Sequence, residues 1–139
     1  MNEAAGAAQP VSGETIHHAD GTGFSIREAR PEDVETLVSL VRELAVYEKL
    51  EQHARATSED FLRHLFGIRP AAEAAIAVVN GEAVGFALWF STFSTFRGQP
   101  GLYLEDIFVK PSHRGSGIGK GLLAAVARQA VERGCGRVE

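Results

Sequence analysis

Only one cysteine, Cys135, stands in 139 residues. A lone thiol forms no internal disulfide framework and no cysteine-based zinc site. No apolar run approaches the roughly 20 residues that cross a bilayer. The N-terminus carries no basic segment ahead of an apolar stretch, so no secretory leader is legible and the cytoplasm is the expected location. Basic residues are in the minority, with 14 Lys and Arg against 18 Asp and Glu, and the net charge is −4. That excess argues against a general nucleic-acid binder and mildly favours a cationic partner. What remains, 45% hydrophobic and 23% charged, is an ordinary globular balance of one domain's length.

Residues 1–23 are rich in Ala, Gly, Ser and Thr, with Val11 and Ile16 as the branched apolar residues. Such a segment buries little surface and reads as a flexible arm. The adjacent His17-His18 pair in it is assigned no metal. A domain is expected over residues 24–139. Phe24 to Ala29 alternates as a strand. Pro31 followed by Glu32 and Asp33 marks a helix start. Val34, Leu37, Val38, Val41, Leu44 and Ala45 then repeat at helical spacing. Thr57 and Asp60 form a capping-box pattern ahead of Phe61, Leu62, Leu65 and Phe66, and Gly67 can end that helix. Ala74–Val79 and Glu82–Phe93 read as strands joined by an Asn80-Gly81 turn. Gly101–Lys110 is the next strand. Gly117–Arg133 is a helix expected to bury Ile118, Leu122, Leu123, Val126 and Ala130, with Gly134 ending it, and Gly136–Glu139 begins another strand. The order βααβββα, then the start of β, implies an α/β fold with a mixed sheet flanked by helices.

The segment Tyr103 to Lys120 carries the chemistry. A strand feeds a short turn, a loop with glycines at 115, 117 and 119, and a helix. Glycine lets backbone N–H groups approach a ligand closely. The helix start adds free N–H donors and the positive end of a dipole. Together these make a phosphate cradle. It is not a P-loop: Gly119-Lys120 is followed by Gly121, and Arg114 stands where the first glycine belongs. It is not a dinucleotide fingerprint either, since Lys120 or Leu122 falls where the third glycine is needed. Glu105 lies on the feeding strand. A phosphate site beside a possible proton acceptor suggests group transfer from a phosphate-bearing cofactor.

The pattern Arg114-x-x-Gly117-x-Gly119 resembles the acyl-CoA signature of the GNAT acetyltransferase superfamily. Leu102-Tyr103-Leu104-Glu105-Asp106, and Glu43 to Leu50 near the start, are similar to the spermidine/spermine and thialysine N-acetyltransferase branch. The likeness runs from about Phe24 to Glu139. It implies an acetyl-CoA-dependent N-acetyltransferase acting by direct attack on a primary amine of a polyamine, diamine or thialysine-like amino acid. The remaining alternative is a catalytically impaired CoA-binding or structural fragment of such an enzyme. The resembled family continues past the fifth-strand position reached at Arg137-Val138-Glu139 and carries its general acid, a tyrosine, on a later helix. The tyrosines here are Tyr47 and Tyr103, and neither matches. The chain therefore reads as truncated and as a weak catalyst alone. An exposed sheet edge favours self-association, and a homodimer is expected.

Acyl transfer to an amine needs an acceptor for the ammonium proton and donors for the developing oxyanion. The resemblance assigns the base to Glu105. It implies pantetheine pairing by backbone N–H groups of Ile107, Phe108 and Val109. It implies a pyrophosphate held by Arg114, Gly115, Ser116, Gly117, Ile118, Gly119 and Lys120. Tyr47 and Glu48 match positions lining the amine site, and Glu51 extends that acidic edge. Strand alternation puts Glu105 and Asp106 on opposite faces, with Glu105 beside Tyr103 and Ile107. Ser94 stands where polyamine acetyltransferases of this type tend to carry an acid, which leaves thialysine-like amino acids and other small amines open.

Overall fold

Alternating apolar residues build a five-stranded antiparallel sheet in the order β1-β2-β3-β4-β5. The computed structural model describes residues 14–17 and 23–139. The strands are β1 Glu14–His17, β2 Gly23–Glu28, β3 Glu73–Val79, β4 Glu82–Ser94 and β5 Gln99–Val109. The helices are α1 Val34–Tyr47, α2 Ser58–Phe66 and α3 Ile118–Glu132. The expected mixed α/β order holds, with one strand more. β1 lies inside the stretch read as an arm and pairs Glu14–His17 with Ile26–Gly23. Composition is a poor guide there, because β2 offers a backbone edge whose pairing needs little from the added strand's side chains. The rest of the arm, with His18, lies outside the described residues.

Helices cover both faces. On one face Phe24, Ile26, Ala87, Trp89 and Leu102 meet Ile118, Leu122, Ala125, Val126 and Ala130 of α3. On the other, Ile76, Phe86 and Phe108 meet Leu37 and Leu40 of α1, with Phe61 and Leu65 of α2 at the margin. Each fully buried side chain of this size contributes about 1.5–3 kcal/mol. Leu123 does not join the core; it is 48% exposed. The buried stripe of α3 instead runs through Ile118, Gly121, Leu122, Ala125, Val126, Gln129 and Ala130, close to a 3.6-residue period. Gly121 is a packing glycine, since a Cβ there would stand 2.7 Å from Phe24 Cε1 and 2.9 Å from Ile26 Cδ1.

The local signals act as their chemistry dictates. Thr57 and Asp60 satisfy each other's backbone N–H at 2.9 and 3.1 Å to cap α2. Asn80 and Gly81 take φ of 50° and 81°, both positive, as a two-residue hairpin turn requires. Gly136 to Glu139 runs along β5 in parallel: Leu102 N–H donates to the Arg137 carbonyl, and Glu139 N–H to the Leu102 carbonyl. That contact makes the sheet mixed. It covers Leu102 to Leu104, whereas the Ile107–Val109 end of β5 has no second described strand beside it.

One irregularity decides the site. Leu88 of β4 pairs with Asp106, but Trp89 pairs with Leu104. Glu105 is the extra residue of a β-bulge. A bulge breaks alternation, so the expectation that Glu105 and Asp106 face opposite ways is corrected. Asp106 pairs with Leu88, on the α1 face, while Ile107 pairs with Ala87, on the α3 face. Glu105 therefore shares the α1 side with Asp106 and Tyr103 rather than with Ile107.

Candidate active site

The site forms where β5, α1 and the glycine loop converge. A cavity of about 460 Å³ is lined by Tyr47 and Glu48 from the end of α1, Ile107, Phe108 and Val109 from β5, and Arg114, Gly115, Ile118 and Gly119 from the loop and α3. Residues 60 positions apart in sequence thus line one space. A second cavity of about 430 Å³ lies at the C-terminal end of α3, around Glu28, Trp89 and Arg133; none of the candidate residues lines it.

The loop earns its glycines in different ways. Gly117 caps α3 with φ 89°, left-handed backbone that a side chain adopts only under strain. At Gly115 a Cβ would meet nothing within 4 Å, so the space beside that backbone is open. The first i-to-i+4 bond of α3 runs from Gly121 N–H to the Gly117 carbonyl. The N–H groups of Ile118, Gly119 and Lys120 precede it and are free of intrahelical partners. Ser116 Oγ donates to the His113 carbonyl at 2.6 Å, which pins the loop and turns that hydroxyl away from ligand duty. Lys120 is exposed on the first turn of α3.

Arg114 points back across the cavity. Its Nε–H donates to the Val109 carbonyl at 2.9 Å, and its guanidinium sits 4.4 Å from the Tyr47 ring centre and 5.6 Å from that of Phe108. Lys110 plays no part in the loop; its Nζ lies 3.5 Å from Glu43 and 3.8 Å from Glu82.

Three carboxylates gather on the α1 side. Asp106 is half-buried, and that burial, then the nearby Glu105 and Glu48 carboxylates, push its carboxyl above the ordinary aspartate value. Like charges in a poorly hydrated place raise one another's affinity for protons, or for any cation. Asp106 was missed by alternation alone. The signal was present, because the apolar residues of β5 change phase from Leu102 and Leu104 to Ile107 and Val109, as a bulge between them requires. Glu51 lies in a short 3-10 turn after α1 and does not line the cavity. Ser94 closes the β4–β5 hairpin by accepting the Arg97 N–H at 3.1 Å and is likewise no part of the lining. Among the described residues no group of three or more His, Cys, Asp or Glu has metal-site geometry, and no helix is long and apolar enough to cross a membrane.

The family model described as Acetyltransferase (GNAT) family matches residues 35–139. Thialysine N-epsilon-acetyltransferase of Bos taurus is 37% identical over 121 residues, spanning 81% of this chain and 71% of that protein. L-ornithine N5-acetyltransferase of Arabidopsis thaliana is 30% identical, spanning 90% of this chain and 76% of its own. Among solved structures, a ribosomal-protein-alanine N-acetyltransferase from Brucella melitensis biovar Abortus 2308 superposes with a TM-score of 0.67 at 28% identity, over 83% of this chain and 77% of the other.

Proposed function

The chain belongs to the GNAT acetyltransferase family, and on that premise we propose that it carries acetyl from acetyl-CoA to a primary amine of a small molecule: a polyamine, a diamine or a thialysine-like amino acid. One observation carries the reading. A single cavity brings the glycine loop, the open outer edge of β5 at Ile107–Val109 and the Tyr47-Glu48 corner together; Glu105 and Asp106 stand outside that lining on the adjoining stretch of β5, with Asp106 near enough to feel the Glu48 charge. The relatives named for thialysine and ornithine point to the same substrate class.

The loop fits a pyrophosphate. It has open space at Gly115, a left-handed Gly117 and free helix-start N–H groups, which suit an anion. Backbone amides of Gly115 to Lys120 would hold it, and Ile107 to Val109 would pair with the pantetheine arm. Acetyl-CoA, when bound, supplies the acetyl group as a thioester. Glu48 and Asp106 draw in the ammonium form of the substrate. Glu105 then accepts its proton, directly or through one water, because only the neutral amine has a lone pair to attack. A backbone N–H of the Ile107–Val109 stretch donates to the oxygen on which charge develops. The leaving thiol, with an ordinary pKa near ~8.5, is a tolerable leaving group even without a proton donor.

Calorimetry with CoA tests the cofactor half. Gly117→Leu forces a branched side chain onto left-handed backbone at the cradle, and CoA binding should weaken by at least about tenfold, 1.4 kcal/mol. Unchanged affinity would remove the loop from the reading. A panel of spermidine, thialysine and ornithine, assayed for acetyl transfer, tests the amine half; transfer to none of them would sink the proposed substrate class.

A further inference from the structure

We propose that Arg114 is a tethered competitor for the substrate's cationic group, and that the cofactor's pyrophosphate removes it, so that amine and cofactor favour each other's binding. The inference rests on the glycine loop being the pyrophosphate site.

The aromatic corner formed by Tyr47 and Phe108 already holds a cation. The Arg114 guanidinium lies 4.4 and 5.6 Å from the two ring centres, and its Nε–H takes the Val109 carbonyl. No described carboxylate is within ion-pair distance of it. Glu48 lines the same cavity, and Asp106 feels the Glu48 charge. A small amine entering beside these acids needs the surface that Arg114 covers. A ring face and a carboxylate suit an ammonium as well as a guanidinium, and both cannot occupy the corner together.

The hold on Arg114 is weak by construction. Tyr47 is 62% exposed, and a cation–π contact in water-accessible surroundings is among the feebler interactions of a charged group. A phosphate offers the guanidinium charge-assisted, bidentate bonds that a ring face and one neutral carbonyl do not. Arg114 adjoins Gly115, whose surroundings are open, so an anion in the loop stands next to its backbone. Once the side chain turns to that anion, the corner and the Val109 carbonyl are both released. Linkage makes the effect reciprocal: whatever CoA adds to amine binding, the amine adds to CoA binding.

The experiment is calorimetry on the whole chain with spermidine as the probe amine, without CoA and with saturating CoA, whose free thiol allows no turnover. In the unmodified protein CoA should tighten spermidine by about tenfold, within the usual range of coupling between sites. In Arg114→Gln, spermidine should bind the cofactor-free protein nearly as tightly as it binds the CoA-loaded original, and CoA should alter it by less than about twofold. The Arg114 Nε–H signal in nitrogen-15 NMR, identified by its loss in the variant, should move when CoA is added. CoA binding with an unmoved signal, with spermidine affinity unaffected, with coupling that survives in Arg114→Gln, or with no spermidine binding in either protein, overturns the proposal alone. A protein that binds no CoA overturns the loop reading, and this inference with it.

Discussion

Two aspartates near opposite ends of α1 face opposite circumstances. Asp33, at the entrance to α1, accepts two bonds from the Arg27 guanidinium at 2.7 and 2.9 Å and one from the Arg30 N–H at 2.7 Å. The Arg27 bonds, ahead of the cost of burial, hold its carboxyl below the usual range. Asp106 has burial without a cation, and two carboxylates for company, and is pushed above it. The first arrangement is complete within the chain and holds β2 to α1. The second is incomplete, and an ammonium ion would complete it. Charge that is satisfied internally serves stability, whereas charge left unsatisfied beside a cleft marks a candidate ligand site.

The comparison breaks if substitutions at the two places have the same kind of effect. The largest expected effect is on rate. Glu105→Gln keeps the shape of the bulge but removes the proposed proton acceptor, and kcat should fall by ~10²–10⁴. The loss should narrow as pH rises and more amine is already neutral. Thermal unfolding should hardly change. Full activity with an unaltered pH profile would assign the proton to solvent or to another group.

At the settled site the expected loss is in stability. Asp33→Ala strands the Arg27 guanidinium and the Arg30 N–H. A fully buried pair broken this way costs 3–5 kcal/mol, and the partial exposure of this one reduces that to about 2 kcal/mol. Because the Asp33 value is lowered by folding, its contribution is present above the unfolded aspartate value near ~3.9 and fades as pH falls through the folded one. The variant's deficit in chemical denaturation should therefore be full at neutral pH and shrink toward pH ~3. Activity per folded molecule should stay within about twofold. A loss of kcat without loss of stability would reverse the contrast.

Much of this was legible in the residues, for physical reasons. Helical spacing placed α1 and α3, the Thr57-Asp60 pair capped α2, and Asn80-Gly81 turned β3 into β4, because each signal is local. Gly117 was legible as the start of α3 because the strand-loop-helix order lies within one short stretch, whereas Glu105 and Arg114 stood out through the family resemblance. β1 was not legible, since its pairing depends on an edge that only the folded sheet supplies. Glu105 and Asp106 were put on opposite faces because alternation assumes an unbroken ladder. Leu123 was placed in the core by its chemistry, although its position falls outside the stripe that α3 turns to the sheet. The inward turn of Arg114 to Tyr47, 67 positions earlier, has no sequence signal at all.

The smallest expected effect sharpens the comparison most, because it has two parts of opposite sign. Asp106→Asn removes a carboxylate that folding makes harder to ionise. A group whose value is raised by folding contributes stability below its unfolded value, and that contribution is lost as pH rises through the folded one. Above the folded value the charge of Asp106 is thus a burden on the free protein, and Asn should relieve it. With solvent reaching half of the group, the gain is about 0.5 kcal/mol, and it should vanish below pH ~4. Amine binding should move the other way. Losing one charged contact to an ammonium costs about 1.5 kcal/mol, or roughly tenfold in KM for spermidine, with a smaller change in kcat than Glu105→Gln produces. Unfolding curves taken between pH 4 and 8, alongside KM, measure both. A variant that is less stable at neutral pH would mean that Asp106 is already satisfied, as Asp33 is, and the distinction between the two aspartates would fall.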